Sequence, residues 1–202
     1  MIARNILITE AGFEPVTDQQ ARDHLREDES ASSRIKPYLV AARQSIEQEL
    51  ISVKTTQQTY ELQLDDWQDA FDPDGYLVLP ACPLVSITSI KYDDVSNVEQ
   101  TLSAANYQSD TASMPGRIRY TGSATLPGLY DKPNVVRIRY VAGYGSSTAT
   151  DGGQSAVPGP IKSAILMRLA ELYDVRTESV GGMISQASLA VQRLIAPYRI
   201  PV

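Results

Sequence analysis

The chain has 202 residues, 43% of them hydrophobic and 21% charged, the ordinary balance of a globular protein. Its net charge of -6 is uneven, because residues 1–80 hold 15 acidic and 7 basic residues while residues 81–202 hold 9 acidic and 11 basic. An acidic N-terminal part argues against a sequence-reading nucleic-acid binder, since such proteins neutralise phosphates with Lys and Arg. No apolar run approaches the roughly 20 residues that span a bilayer, so no membrane partner is expected.

Reactive side chains are few. The single cysteine, Cys82, lies between two prolines, and the single histidine, His24, lies in a charged run. One cysteine cannot form an internal disulfide, which fits an intracellular origin. The usual catalytic triads are nearly excluded, because they need a histidine or cysteine placed for chemistry.

Paired aspartates are the feature that most suggests hydrolysis. They occur at 65–66 and 93–94, in predicted turns where aspartate is favoured for local hydrogen bonding. A glycosidase needs two carboxylates facing each other across a cleft. The acidic loop 65–75 does not have the spacing of a calcium-binding loop. We therefore expect no catalytic residue, no metal ligand and no cofactor, and we expect that the protein is not an enzyme.

Two helices are predicted in the first quarter of the chain. Residues 1–16 look like an extended arm, after which Thr17 and Gln20 form a capping-box pattern that begins a helix at Asp18. A second helix follows, because apolar residues recur there at spacings of three and four. That stripe comprises Ile35, Leu39, Ala42, Ile46 and Leu50.

The pattern changes to short strands between residues 53 and 145. An acidic loop in this part carries Trp67 and Phe71, which we predict as aromatic anchors of an interface loop. The sequence Arg-Ile-Arg-Tyr occurs twice, at 117–120 and at 137–140, and we expect these strands to be two members of one antiparallel sheet, in which they could be neighbours. Their arginines would then form one basic strip without interleaved aromatic residues, either bonded to an acidic surface or facing DNA: Arg117, Arg119, Arg137 and Arg139.

The last part of the chain is predicted to be helical and to end in a docking tail. Proline opens a helix near residue 160, and its apolar face is Ile161, Ile165, Leu169, Leu172 and Tyr173. The final residues are apolar, rich in proline and predicted to stay extended, which favours docking on a partner. The candidate docking residues are Leu194, Ile195, Pro197, Tyr198, Arg199, Ile200, Pro201 and Val202.

These elements predict an α+β fold. A helical core, made of two N-terminal helices and C-terminal helices, carries an inserted small antiparallel β region. We expect one domain over residues 1–202. Its parts are an arm and helices (1–52), a β insertion (53–145), C-terminal helices (157–196) and a docking tail (197–202).

The order of the pieces resembles the head–tail connector proteins (adaptor, or head-completion, proteins) of tailed double-stranded DNA phages and gene transfer agents. The resemblance spans nearly the whole chain, and the joint order of the segments carries it, since no single motif is decisive. The segments are 79–90, 107–110, 115–118, 136–145, 157–166 and 194–199.

That resemblance implies a structural subunit of a homo-oligomeric ring, a dodecamer in this family. The ring would sit under the portal protein in the neck of the virion, after assembly in the host cytoplasm. It would extend the DNA channel and offer a platform to a neck, stopper or tail protein, and the C-terminal segment would reach the portal. Double-stranded DNA would pass through without sequence-specific binding, helped by an acidic surface facing the channel.

Two alternatives remain open at this point. The first is a DNA-binding packaging accessory that uses the four arginines. The second is a different ring-forming neck or tail component, which the sequence separates poorly from an adaptor. Salt-sensitive DNA binding would favour the first, and the identity of the partner would distinguish the second.

Overall fold

The computed structural model describes residues 3–10, 12–71, 74–121, 126–145, 154–174 and 189–200. Within these ranges the fold is α+β, as predicted. The α-helices are α1 (Asp18–Leu25), α2 (Ser32–Glu49), α3 (Trp67–Ala70), α4 (Gly159–Asp174) and α5 (Leu189–Ile195). The strands are β1 (Arg4–Thr9), β2 (Gln58–Leu64), β3 (Tyr76–Val78), β4 (Leu84–Asp93), β5 (Glu99–Thr101), β6 (Tyr107–Asp110), β7 (Arg117–Tyr120) and β8 (Val136–Ala142).

The chain divides into two compact units. The β unit comprises Met1–Ala11 and Gln57–Gly143, and the helical unit comprises Gly12–Thr56 and Tyr144–Val202. The division differs from the predicted segments at the N-terminus, where β1 pairs with β2 and so belongs to the sheet. The sequence Arg-Asn-Ile-Leu-Ile-Thr is extended as expected, but its pairing partner begins about fifty residues later. The single-domain organisation stays a prediction.

The β unit contains two antiparallel sheets. The five-stranded sheet has the order β1-β2-β8-β4-β5, and the three-stranded sheet has the order β3-β7-β6. The central strand β8 alternates as predicted, with Val136, Ile138 and Tyr140 fully buried. The Tyr140 hydroxyl donates to Asn5 Oδ1 at 3.0 Å and accepts from the Ala81 amide at 3.2 Å. This buried hydroxyl therefore has a partner both as donor and as acceptor.

The helical unit is built on the packing of α2 against α4. The predicted stripe of α2 is buried, with all five of its apolar residues at most 2% exposed. Ile161, Ile165 and Leu169 of α4 are also fully buried. The predicted capping box of α1 is confirmed, because Thr17 Oγ1 accepts from the Gln20 amide and Gln20 Oε1 accepts from the Thr17 amide, both at 3.0 Å.

A close approach at Gly116 leads to a stability prediction. A Cβ atom at this position would lie 2.2 Å from Cβ of Leu84, which is fixed by the β4 backbone and cannot rotate away. Gly116→Ala should therefore lower the free energy of unfolding by about 1–3 kcal/mol, the usual cost of overpacking. Calorimetric melting measures the change.

Gly128→Ala is the matched control for that substitution. Its added methyl would meet only Cγ1 of Val95, at 3.0 Å, and Val95 is 69% exposed and free to turn. We expect a change within about 0.5 kcal/mol for this variant. Equal melting temperatures for the two variants would contradict the packing argument.

Candidate interaction surfaces

The four predicted arginines do not form one strip along neighbouring strands. β7 lies in the three-stranded sheet and β8 in the five-stranded sheet, so the expectation of one shared sheet was wrong. The repeated sequence Arg-Ile-Arg-Tyr sets the same alternation in both strands. It does not encode which strand each one meets, because pairing depends on distant residues.

The two arginines of β8 are bonded to carboxylates within the β unit. Arg137 binds Asp93 through both terminal nitrogens, at 2.7 and 3.0 Å, and Glu99 at 3.0 Å. Arg139 binds Glu61 at 2.7 Å. These contacts correspond to the intrachain alternative, in which the arginines bridge to acidic residues of the same chain, and they leave little of Arg137 for a partner.

The two arginines of β7 lie close to the ring of Tyr76. The guanidinium carbons of Arg117 and Arg119 lie 4.7 and 5.3 Å from the ring centroid of Tyr76, within the range of cation–π attraction. Arg117 also binds Asp110 at 2.9 Å, whereas Arg119 is exposed. The sequence predicted no interleaved aromatic residues along the arginines, and the structure places one aromatic ring, that of Tyr76, against two of them. The sequence did not reveal this contact, because Tyr76 meets Arg119 only through the pairing of β3 with β7.

The Arg137–Asp93 pair predicts sensitivity to acid. Hydrogen bonds from Arg137, with a further contribution from Lys132, hold the pKa of Asp93 well below its ordinary value of 3.8. Because the folded pKa is depressed, this stabilisation is complete above the unfolded pKa and is lost as the pH falls below about 4. Asp93→Asn should thus lower the melting temperature at pH 7, and the gap to wild type should narrow towards pH 3.

A pH series of melting temperatures measures this effect. Asp131→Asn, at an exposed carboxylate of the same unit, serves as the control and should change little at any pH. A gap between Asp93→Asn and wild type that stays constant from pH 7 to pH 3 would exclude the proposed linkage.

Part of the predicted docking tail is folded onto the chain's own helical unit. Ile195 is fully buried at the end of α5, which packs on α4, so it is not available to a partner. The predicted extended conformation was wrong for Ala196–Tyr198, which form a 3-10 turn. Ile195 is the apolar residue of this segment that is buried within the helical unit, which local composition could not reveal.

The segment becomes extended at Arg199. The Arg199 side chain donates to the carbonyl of Glu49 at 3.0 Å and lies 3.6 Å from its carboxylate. Pro197 is exposed and Ile200 is partly exposed. Pro201 and Val202 lie outside the described residues. What remains of the candidate docking tail is therefore Leu194, which is partly exposed on α5, and residues 197–202, of which Arg199 contacts the end of α2.

The predicted interface loop is a short helix with a buried tryptophan. Asp66 caps α3, and Trp67 is only 6% exposed. The indole Nε1 donates to the Pro127 carbonyl at 2.9 Å, and the ring lies 5.6 Å from that of Tyr92 and 6.5 Å from that of Phe71. The expectation that Trp67 is an interface anchor is thus replaced by a core role in the β unit. Phe71 is partly exposed and packs against this same cluster.

A buried polar cluster in the helical unit was not predicted. Arg43 contacts Glu14 at 2.9 Å and Glu47 at 3.4 Å, and its side chain is 6% exposed. Glu47 accepts hydrogen bonds from the amide and the hydroxyl of Thr55, at 3.0 and 2.5 Å. Burial raises the pKa of Glu14, against the opposing effect of Arg43. The four-residue spacing of Arg43 and Glu47 was visible in the sequence, but their position beside the apolar stripe suggested a solvated face.

The acidic charge differs between the two units. The β unit holds 12 acidic and 7 basic residues, a net charge of -5, and the helical unit holds 12 acidic and 11 basic, a net charge of -1. In the helical unit, acidic residues of the N-terminal helices meet basic residues of the C-terminal helices, for example in the ion pair of Glu49 with Arg168. In the β unit, residues 1–11 and 57–80 hold 7 acidic residues and 1 basic residue, so the acidic excess predicted for the N-terminal part of the chain lies mainly in that unit.

Neither a cluster of metal ligands nor a membrane-spanning helix occurs in the described ranges. No three His, Cys, Asp or Glu side chains in those ranges are grouped to hold a metal ion. An open groove of about 550 Å³ in the helical unit is lined by α1 and α4 and mixes apolar side chains with polar and oppositely charged ones, including His24, Asp23 and Lys162. None of the described helices combines the length and apolarity needed to cross a membrane.

Similar chains of known structure come from gene transfer agent (GTA) particles. A chain in the neck of an empty GTA particle, computed with C6 symmetry, is 24% identical, with a TM-score of 0.75 over 98% of this chain and 97% of that one. A chain in the virion of a native GTA particle is 23% identical, with a TM-score of 0.75 over 98% and 96%. A chain in the neck of a native GTA particle, computed with C12 symmetry, is 25% identical, with a TM-score of 0.68 over 100% and 97%.

No family model and no curated protein matches the sequence. The structural matches nevertheless cover nearly the full length of both chains. The resemblance to head–tail connector proteins is confirmed in this sense: the chain has the fold of neck and virion chains of GTA particles.

Proposed function

We propose that this protein is a structural subunit of the neck of a virion or gene transfer agent particle, where it forms a homo-oligomeric connector ring. The observation that carries the proposal is similarity over 98–100% of the chain to neck chains in assemblies treated with C6 or C12 symmetry. Twelve copies would lie under the portal, surround the DNA path and present a platform to the next neck or tail protein. In this role the protein performs no catalysis and takes no cofactor.

The charge of the β unit supports a channel that DNA crosses without binding. A net charge of -5 repels phosphates, and most of the arginines near its surface are already bonded to carboxylates. We therefore place the β unit, in preference to the helices, along the DNA path.

Ring formation is tested with the purified full chain. We expect sedimentation velocity at increasing concentration to give a ring-sized species, and negative-stain electron microscopy to show particles with a central hole. A chain that is monomeric alone is then mixed with the portal protein of the same particle. Failure to form a ring on the portal as well would overturn the proposal.

Residues 197–202 are proposed to dock on the portal. Their deletion should abolish co-sedimentation with the portal while the melting temperature stays close to that of wild type, because the buried anchor Ile195 is retained. Arg193→Ala is the matched control, since Arg193 is an exposed residue of α5 outside the segment and its replacement should leave docking unchanged. Portal docking by the truncated chain at wild-type affinity would exclude this role.

The alternative of a DNA-binding accessory is favoured by one observation, the exposed Arg119 stacked on Tyr76. This alternative predicts DNA binding that weakens with salt and falls in Arg119→Ala. Fluorescence anisotropy with a double-stranded probe at low salt distinguishes the two. We expect no binding, and salt-sensitive binding that depends on Arg119 would favour the accessory instead.

A further inference from the structure

Strand β1 is an unusually open sheet edge. It is the first strand in the order of the five-stranded sheet, and β2 is its one neighbour among the described strands. Five of its six residues are exposed, and Ile6 is partly exposed. Leu7 and Ile8 remain 41% and 44% exposed. The outer edge of such a strand presents unpaired amide and carbonyl groups, which are a template for another strand.

The other edges of the described sheets are protected and β1 is not. β3 and β5 have three residues each, and β6 has four and ends at a charged Asp110. β5 is entirely polar, and Pro80 follows β3 closely. Short length, charge and proline are the devices that keep an edge from pairing. β1 has six residues, an apolar centre and no proline, and its register shift lies only at its end, after Leu7.

We propose that the outer edge of β1 pairs with the next copy of this chain in the ring. This inference rests on the proposed function, which supplies the neighbour. The related neck chains match 98–100% of this chain, so a neighbouring copy in such a ring would carry the same fold. In a ring every copy has identical neighbours, and contact is made between two different surfaces, so β1 meets an element other than β1.

Charge favours a second copy as the occupant. Arg4 is the single charged residue of β1 and is exposed, whereas the β unit as a whole has a net charge of -5. A strand with one cation and an apolar centre is thus complementary to the acidic β unit of another copy. Six residues bury too little area for a stable pair alone, because stable interfaces bury roughly 1,200 Å² or more. The contact becomes effective when ring closure links many copies.

Ile8→Lys tests the inference, since an exposed lysine is a natural means of blocking an edge. We expect the concentration at which rings form to rise at least about tenfold, with the melting temperature nearly unchanged because Ile8 is already 44% exposed. Val95→Lys is the matched control, the same change at a position of the β unit that is 69% exposed and lies outside β1. It should form rings as wild type does.

Hydrogen exchange on the wild-type chain provides a second measurement that needs no variant. The amides of β1 should be protected in the assembled form and should exchange faster after dilution to monomers. Rings that form equally well with Ile8→Lys, and show no added protection in β1, would overturn the inference and leave the proposed function intact.

The remaining outcomes separate the two claims. Oligomers that are not rings but depend on Ile8 would support the β1 contact and contradict the connector ring. A wild-type chain that never self-associates, with or without the portal, would overturn both.

Discussion

Replacing Arg43 with methionine should lower the free energy of unfolding by about 3–5 kcal/mol, the typical cost of removing one partner from a buried ion pair. Arg43 is the cation between Glu14 and Glu47 inside the helical unit. Methionine keeps the apolar stem of the side chain and removes the charge. The two carboxylates are then left facing each other without compensation. Chemical denaturation followed by circular dichroism measures the loss, since most of the described helix lies in this unit.

The pH dependence of the variant identifies the cause. Burial already raises the pKa of Glu14 in the wild-type protein, and removal of the cation should raise it further. A carboxyl group whose pKa is higher in the folded than in the unfolded protein binds more protons in the folded state. Its destabilising effect therefore decreases as the pH falls. The deficit in the free energy of unfolding of Arg43→Met relative to wild type should therefore shrink as the pH falls from 7 towards the ordinary carboxyl pKa of 4.5. A deficit independent of pH would point to lost packing instead.

Two further variants complete this experiment. Arg34→Met changes an arginine of the same helix whose side chain is 60% exposed, and it should cost no more than about 0.5 kcal/mol. Arg43→Met combined with Glu14→Gln removes one of the two stranded charges and should recover part of the lost stability. Equal losses for Arg34→Met and Arg43→Met would contradict a special role for the buried cluster.

The helices could be predicted because their signals are local. The capping box at Thr17 and Gln20 needs only two residues three positions apart, and the stripe of α2 repeats over about four turns. The alternation of β8 is a local signal of the same kind. The capping box marks where a helix begins, and the other two patterns show which side of the element is apolar, the side that is buried in the structure.

The pairing of strands could not be predicted, because it depends on residues far apart in the sequence. Arg117 and Arg137 begin identical four-residue segments and nevertheless lie in different sheets. β1 joins a partner strand on the far side of two helices in the sequence. The predicted arginine strip was wrong because it assumed that pairing. The acidic residues of the N-terminal part are divided between the two units, and most of their excess charge lies in the β unit.

The burial of polar side chains could not be predicted from the sequence either. Arg43 and Glu47 lie beside the apolar stripe of α2 and look solvated, but Glu14 and Thr55 enclose them from other parts of the chain. A polar residue is buried where its partners converge, and that convergence is a property of the fold. The same reason explains Trp67, whose acidic neighbours suggested a surface loop.

Replacing Trp67 with alanine should destabilise the β unit by about 3–5 kcal/mol, as removal of a large buried aromatic side chain does. The ring fills the space beside Phe71 and Tyr92, and its N–H satisfies the Pro127 carbonyl. Both the packing and the hydrogen bond are lost. Differential scanning calorimetry is the suitable measurement, because it does not depend on the fluorescence of the residue removed.

Two further variants test whether Trp67 acts through its buried position in the β unit. Trp67→Phe keeps an aromatic ring but loses the donor, so it should cost less than Trp67→Ala and more than Tyr130→Ala, which alters a tyrosine that is 41% exposed. An interface anchor would behave in the opposite way. Trp67→Ala would then melt as wild type does and lose only its assembly with other chains. Because Trp67 makes these contacts within one chain, we expect Trp67→Ala to lower the melting temperature of the chain itself. Any loss of assembly should follow from that loss of stability.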